Sequence, residues 1–276
     1  MSKVTAADVS KLRKSTGAGM MDCKNALVEA EGDFDKAVEI IRKKGQAVAN
    51  KRADREATEG CVVAKTASDN KRGVVVALNC ETDFVAKNDD FVAFANQLAD
   101  LAIANKPASK DELLSITVDG RSVSDIITEK IGSIGEKIEL SFYENIDSEY
   151  VIPYIHLGSK LGTIVGFNKE IADEQVAKDV AMQVAAMNPV AIDKGDVPQD
   201  VINKEIEIGK EQAKQEGKPE NLLEKIAMGK LNKFYKENTL LNQAFIKDQK
   251  ISVTDYLKGV DKDLTVTKFY RIGLAE

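Results

Sequence analysis

Four landmarks occur twice along this chain, in the same order. Gly73-Val-Val-Val-Ala-Leu-Asn79 returns as Gly162-Thr-Ile-Val-Gly-Phe-Asn168, and the helix-ending Ala104-Asn105-Lys106-Pro107 returns as Ala186-Met187-Asn188-Pro189. Ser122-Val-Ser-Asp-Ile-Ile127 returns as Ser252-Val-Thr-Asp-Tyr-Leu257, and the closing Phe142-Tyr143 as Phe269-Tyr270. Two unrelated segments would not share all four in one order. Residues 56–147 and 148–276 are therefore expected to be two copies of one α+β subdomain.

Residues 1–55 stand outside this repeat and read as three short helices plus a linker. Thr5 and Asp8 have the spacing of a capping box, Val9 and Leu12 share one face, and Gly17 and Gly19 break the first helix. Asp22 is expected to cap a second helix with Ala26, Leu27 and Ala30 inward, ended by Gly32. Asp33 caps a third, in which Phe34, Ala37, Val38 and Ile41 follow helical spacing and Gly45 is the expected stop. The basic stretch Lys43 to Arg55 reads as a linker or a solvated helix. In the first copy, Cys61–Ala64 and Gly73–Asn79 are strands joined by Ser68-Asp69-Asn70, followed by a helix over about 90–105 and an alternating strand at Ile138–Phe142.

The copies differ in two places. From Asn79 to Phe91 is 12 residues, but from Asn168 to the corresponding Asp173 is 5, so seven additional residues are expected within Cys80–Asn88 of the first copy. The second copy carries an insertion at about 198–238 with two apolar stripes. Ile202, Ile206, Gly209 and Ala213 form one, and Leu223, Ala227, Leu231 and Phe234 the other, with Gly217-Lys218-Pro219 between. The spacing predicts an antiparallel helical hairpin of coiled-coil type.

Composition narrows the function. The chain has 39 Lys and Arg against 45 Asp and Glu, a net charge of −6, so no direct nucleic-acid binding is expected. No run approaches the ~18 apolar residues of a membrane span, and Met1-Ser2-Lys3-Val4-Thr5 has no signal-peptide core. Cys23, Cys61 and Cys80 form no CxxC pair and there is one His, which excludes the usual Cys/His zinc frameworks and points to a reducing, cytoplasmic setting. No catalytic constellation emerges, and neither a metal nor a cofactor is expected.

The extra loop of the first copy is the most unusual local feature. It sets Asp83 beside Phe84 where a strand gives way to a helix. The pair suits docking into a partner's pocket, or Phe84 folds back as a plug and Asp83 caps a turn; spacing leaves both open. Arg42-Lys43-Lys44 and Lys51-Arg52 read as solvated helix faces. Thr16-Gly17-Ala18-Gly19 lacks the preceding strand and the GKS/T ending of a phosphate loop. Asp89-Asp90 is expected to cap the following helix. Met20-Met21 suits either core or an adaptable contact surface, and His156, ending the apolar run Val151–Ile155, a structural or interface role.

Two long stretches carry a family resemblance. Lys14-Ser-Thr-Gly-Ala-Gly-Met-Met-Asp-Cys-Lys-Asn-Ala-Leu27 and Asn79-Cys-Glu-Thr-Asp-Phe-Val-Ala-Lys87 resemble the two signatures of bacterial translation elongation factor Ts, the guanine-nucleotide exchange factors for elongation factor Tu. The order of elements agrees to about residue 273. The resemblance implies a ubiquitin-associated-like helical domain at 1–55, core subdomains at 56–147 and 148–276, and a coiled-coil hairpin in the second. Some members continue into a further helix that docks on Tu; this chain stops at Arg271-Ile-Gly-Leu-Ala-Glu276, which implies that this contact is missing.

The implied activity is not enzymatic. Thr82, Asp83, Phe84 and Val85 would approach the Mg²⁺ site of the partner, with Phe84 levering helices of Tu apart so that Mg²⁺ is dislodged and GDP leaves. Leu12, Met20 and Met21 would grip the same domain, and His156 would add a contact from the second copy. Partners would be Tu in its GDP-bound and nucleotide-free states; the sequence leaves open a homodimer through the hairpin or the core, a hairpin that reaches a distant domain of Tu, and a hairpin that only stabilises the core. The competing reading is a ubiquitin-associated-like scaffold or adaptor with no effect on exchange. RNA binding through Arg42–Arg55 ranks lower still.

Overall fold

The structure, a computed structural model, describes residues 4–274; the signal-peptide reading of Met1–Lys3 and the terminal Ala275 and Glu276 lie outside these. The chain is a mixed α+β protein whose described residues divide into two compact units, 4–63 with 76–144 and Leu274, and 64–75 with 145–273.

In the first unit, α1 (Ala6–Thr16) opens on the Thr5–Asp8 capping box and closes on Gly17 in the left-handed region, φ 67°. Helix α2 (Met20–Glu29) begins earlier than expected: Gly19 is its cap, and Asp22 sits in its first turn, paired with Lys44 of the next helix. Asp33 caps α3 (Phe34–Arg52), accepting from the Lys36 N–H. Val9, Leu12, Cys23, Ala26, Leu27, Ala37 and Ile41 fill the core between these helices.

Gly45 does not end α3, which runs on for two turns to Arg52. Its lack of a side chain serves packing instead. A Cβ built on Gly132 of α7 (Val123–Ile134) would lie 2.5 Å from the Gly45 Cα, so the two helices meet backbone to backbone.

Between these helices the chain forms β1 (Glu59–Thr66), β2 (Arg72–Cys80), α4 (Asp83–Ala86), α5 (Asp89–Asn105), α6 (Lys110–Ser115), β3 (Thr117–Val118) and β4 (Arg121–Ser122). After α7 comes β5 (Ile138–Asp147), giving a sheet of order β1-β2-β5. Each residue of the central β2 is buried, as its unbroken apolar run requires.

The remaining chain repeats this plan. Strands β6 (Tyr150–Ile155) and β7 (Leu161–Phe167) form an antiparallel hairpin, and α8 (Glu174–Met187) follows. Then come α9 (Gln199–Gln215), α10 (Leu223–Asn238), β8 (Ala244–Phe245), β9 (Asp248–Ser252), α11 (Val253–Val260) and β10 (Val266–Gly273), with β10 beside β7. The sheet order β6-β7-β10 is that of β1-β2-β5. Small details recur too. Helices α5 and α8 end on the left-handed residues Lys106 and Asn188, each just before a proline, and α7 and α11 both open on Ser–Asp capping boxes.

The seven additional residues of the first copy are not all in the loop. Asn88, not Asp89-Asp90, caps α5, nine residues after Asn79, whereas Asp173 caps α8 five residues after Asn168. Four extra residues thus precede the helix, the length of α4, and α5 is three residues longer than α8, 17 against 14.

Helices α9 and α10 form an antiparallel pair. Gly209, Ala213, Leu223, Ala227 and Leu231 are buried between them, while Ile202, Ile206 and Phe234 are half-buried. A Cβ on Gly209 would lie 3.1 Å from the Ala227 Cα, so the helices approach closely there. At the root of the pair, the Gln243 amide donates to the carbonyls of Glu237 and Met187 and accepts from Gln183. No helix among the described residues is long and apolar enough to cross a membrane.

Candidate functional site

The turn α4 projects the most exposed aromatic side chain of the first unit. Phe84 is 85% exposed, while Ala86, two residues on, is buried and anchors the turn. Thr82 is the cap, its hydroxyl accepting from the Val85 N–H. The Asp83 carboxylate pairs with Lys87 one turn later at 2.7 Å, which raises the lysine's pKa. Of the two local arrangements open to Phe84, the structure holds the projecting one. Val85 is half-buried at its side.

This turn has a built base. The Glu136 carboxylate, between α7 and β5, accepts from the backbone N–H groups of Glu81 and Thr82 at 3.1 and 3.0 Å and from the Thr82 hydroxyl at 2.7 Å. Glu81 in turn accepts from the Lys137 N–H at 2.7 Å and from the Arg52 guanidinium at 3.0 Å. Cys80, buried at the end of β2, donates its thiol to the Thr82 carbonyl. Burial, with the Glu136 carboxylate adding to it, pushes this thiol up to about 12, and burial pushes Cys61 up to about 11. Neither is a ready nucleophile at neutral pH.

Phe84 and Val85 form one wall of an open cleft of about 640 Å³, faced by Ile126, Lys130 and Ile134 of α7. The end of α1, Lys14–Gly17, closes one side. Within that segment the Thr16 hydroxyl donates to the Leu12 carbonyl and accepts from the Ala18 N–H, so the glycine-rich stretch is a helix terminus.

Of the remaining candidates on the first unit, Met20 and Met21 are 63% and 64% exposed and line a shallow cavity of about 350 Å³ with Val4 and Val9. Leu12 is different: it is fully buried in the three-helix core and presents no surface to a partner. The basic residues of α3 lie on the solvated face that their spacing suggests: Arg42, Lys43, Lys44 and Lys51 are exposed, and Arg52 is half-buried. Arg42 pairs with Glu129, Lys44 with Asp22 and Arg52 with Glu81.

On the second unit, His156 is exposed at the β6–β7 tip, its Nδ1 3.0 Å from the Tyr154 hydroxyl. Beside it stands Leu157, 92% exposed, which sequence reasoning did not single out. The following Gly158 and Ser159, at φ 87° and 54°, make the tight turn that puts Leu157 at the tip, and Leu-Gly-Ser between two apolar runs was the available signal. Among the described residues, no group of three or more His, Cys, Asp or Glu is placed to hold a metal ion.

The arrangement is a rigid mount for an apolar side chain with a charged neighbour, which suits insertion into another protein. Comparison with known proteins gives the family. The family model for elongation factor Ts matches residues 81–276. Elongation factor Ts of Christiangramia forsetii is 55% identical over 275 residues, covering 99% of this chain and 100% of that protein. Those of Azobacteroides pseudotrichonymphae and Porphyromonas gingivalis are 52% and 54% identical, each covering 98% of both chains.

Proposed function

Because the chain belongs to the elongation factor Ts family, and so to the translation elongation factors, we propose that it is a guanine-nucleotide exchange factor acting on elongation factor Tu. The observation that carries this reading is Phe84, an aromatic ring 85% exposed on a turn that is tied down at its base. Phe84 enters an apolar cleft between helices of GDP-bound Tu and displaces the groups that hold its Mg²⁺. With that cation lost, the GDP phosphates are less neutralised and GDP leaves faster. Thr82 caps the turn, Asp83 acts by charge on the disturbed region, and Val85 flanks the insertion. This is acceleration of dissociation with no bond made or broken, so the protein is not an enzyme in the usual sense.

The three N-terminal helices, 1–55, form a ubiquitin-associated-like module that grips the same domain of Tu through Met20 and Met21. His156 adds a contact from the second core subdomain, 148–276, whose α9–α10 pair is a coiled-coil hairpin; 56–147 is the first. The setting is the cytoplasm. An exchange factor has to bind nucleotide-free Tu more tightly than Tu–GDP, or it shifts nothing. The coupling is reciprocal, so rising GDP expels it from the complex.

The test is the release rate of a fluorescent GDP analogue from Tu in the presence of excess GDP. The wild-type protein should accelerate release and Phe84→Ala should lose most of that acceleration. A side chain this exposed contributes little to folding, so the variant should keep its stability to within about 0.5 kcal/mol. Binding to Tu with no acceleration by wild type would leave the scaffold reading and sink this one.

A further inference from the structure

We propose that Glu136 and Arg52 are positioning residues for Phe84, holding its turn in the inserting geometry before any partner arrives. This rests on the reading of Phe84 as the inserting side chain. A four-residue helix does not persist by itself, because helix nucleation is unfavourable. An 85% exposed ring also gains almost nothing from packing on its own chain. Besides buried Ala86 and the Asp83–Lys87 pair, what orders α4 is the set of bonds at its base.

Two carboxylates are arranged there reciprocally. Glu136 accepts three hydrogen bonds from the Glu81–Thr82 segment, while Glu81 accepts the N–H of Lys137, the neighbour of Glu136. The Thr82 hydroxyl donates to Glu136 while accepting from Val85, so its rotamer is fixed from both sides. Arg52, in the last turn of α3, makes two contacts to the Glu81 carboxylate, at 3.0 and 3.3 Å. The Glu81 side chain is only 16% exposed, and charge-assisted bonds with that much water removed are the stronger kind. Through Arg52 the end of the N-terminal helical segment is tied to the turn that carries Phe84.

The consequence is kinetic. If the turn without its clamp occupies the inserting geometry a tenth of the time, exchange slows about tenfold while the ring and its target are unchanged. Loss of charged hydrogen bonds makes that a reasonable scale.

The test compares Glu136→Ala, Arg52→Met, Phe84→Ala and the Glu136→Ala/Phe84→Ala double variant by release of a fluorescent GDP analogue from elongation factor Tu. Glu136→Ala should slow release about tenfold at saturating concentration, and Arg52→Met about threefold, since it removes one arm only. In the Phe84→Ala background, Glu136→Ala should cost less than about twofold, because there is no ring left to position. Hydrogen exchange should quicken at residues 81–85 and stay unchanged in α5 and α7. Equal losses in both backgrounds would mean general destabilisation and overturn the proposal, as would wild-type rates in both Glu136→Ala and Arg52→Met beside a defective Phe84→Ala. A wild-type rate in Phe84→Ala itself would instead overturn the exchange reading. Should Glu136→Ala fail to fold, Arg52→Met alone and combined with Phe84→Ala carries the same comparison.

Discussion

Gly132→Ala should destabilise the packing of α3 on α7, even though alanine is the better helix former. Two effects oppose each other. Replacing a helical glycine stabilises by about 0.5–1 kcal/mol through propensity. Against this, the new Cβ would sit 2.5 Å from the Gly45 Cα, and backbone cannot rotate out of the way. Reaching ordinary carbon–carbon contact near 3.5 Å or more requires the helices to part by about 1 Å, and overpacking of this kind costs about 1–3 kcal/mol. At the middle of both ranges the steric cost wins, leaving a net loss of about 1 kcal/mol. Gly45→Ala is the informative counterpart, because its Cβ would meet the Thr128 carbonyl oxygen at 3.5 Å and the Gly132 Cα at 3.7 Å, which is ordinary contact. It should be neutral or slightly stabilising. Gly229→Ala, within α10 and with nothing inside 4 Å, should show the propensity gain alone. Hydrogen exchange resolved to peptides of α3 and α7 is the suitable assay, since it reads local opening without assuming that the chain unfolds in one step. Gly132→Ala with protection equal to or above wild type would refute the close approach. Equal losses in Gly132→Ala and Gly45→Ala would refute the assigned directions of the two Cβ vectors.

Two further effects can be read from titratable groups. The nearly buried Asp179 accepts from Lys247, Gln175 and Tyr256; burial pushes its carboxyl pKa up, but these bonds outweigh it and the net value falls below the usual 3.8. A folded-state pKa lowered this way contributes stability above the unfolded value that is lost as pH falls through the folded one, so Asp179→Asn should cost about 1–3 kcal/mol at pH 7 and the gap should close in acid; urea titrations with the same gap at pH 7 and in acid would contradict this. Cys61 and Cys80, pushed up to about 11 and about 12, should react with an aromatic disulfide reagent at pH 8 at least about a hundredfold more slowly in the folded protein than in urea, and rapid labelling of a Cys80 peptide in native buffer would count against their burial.

What was legible in the sequence divides by the range of the interaction responsible. The caps at Thr5 and Asp33 were readable because each side chain bonds a backbone group three residues away, and Ser122 and Ser252, met in the sequence only as repeat landmarks, cap in the same way. Gly45 was misread as a stop for the opposite reason: its local propensity breaks helices, but its role is set by Gly132, 87 residues on. Leu12 and Met20 were equally apolar on paper, and only the packing of three helices makes one core and the other surface. The unusual loop was found by comparing two copies, yet seven residues counted as loop became four before the helix and three within it, because periodicity does not locate a cap. Phe84 draws on both ranges. Its place on the chain follows from the extra turn, but its outward direction depends on Ala86 packing inward and on Glu136, 54 residues from Thr82, holding that turn. On the proposed reading, the side chain presented to a partner shows in sequence as an insertion, while the residues proposed to position it, Glu136 and Arg52, look like ordinary surface charge until the fold brings them together.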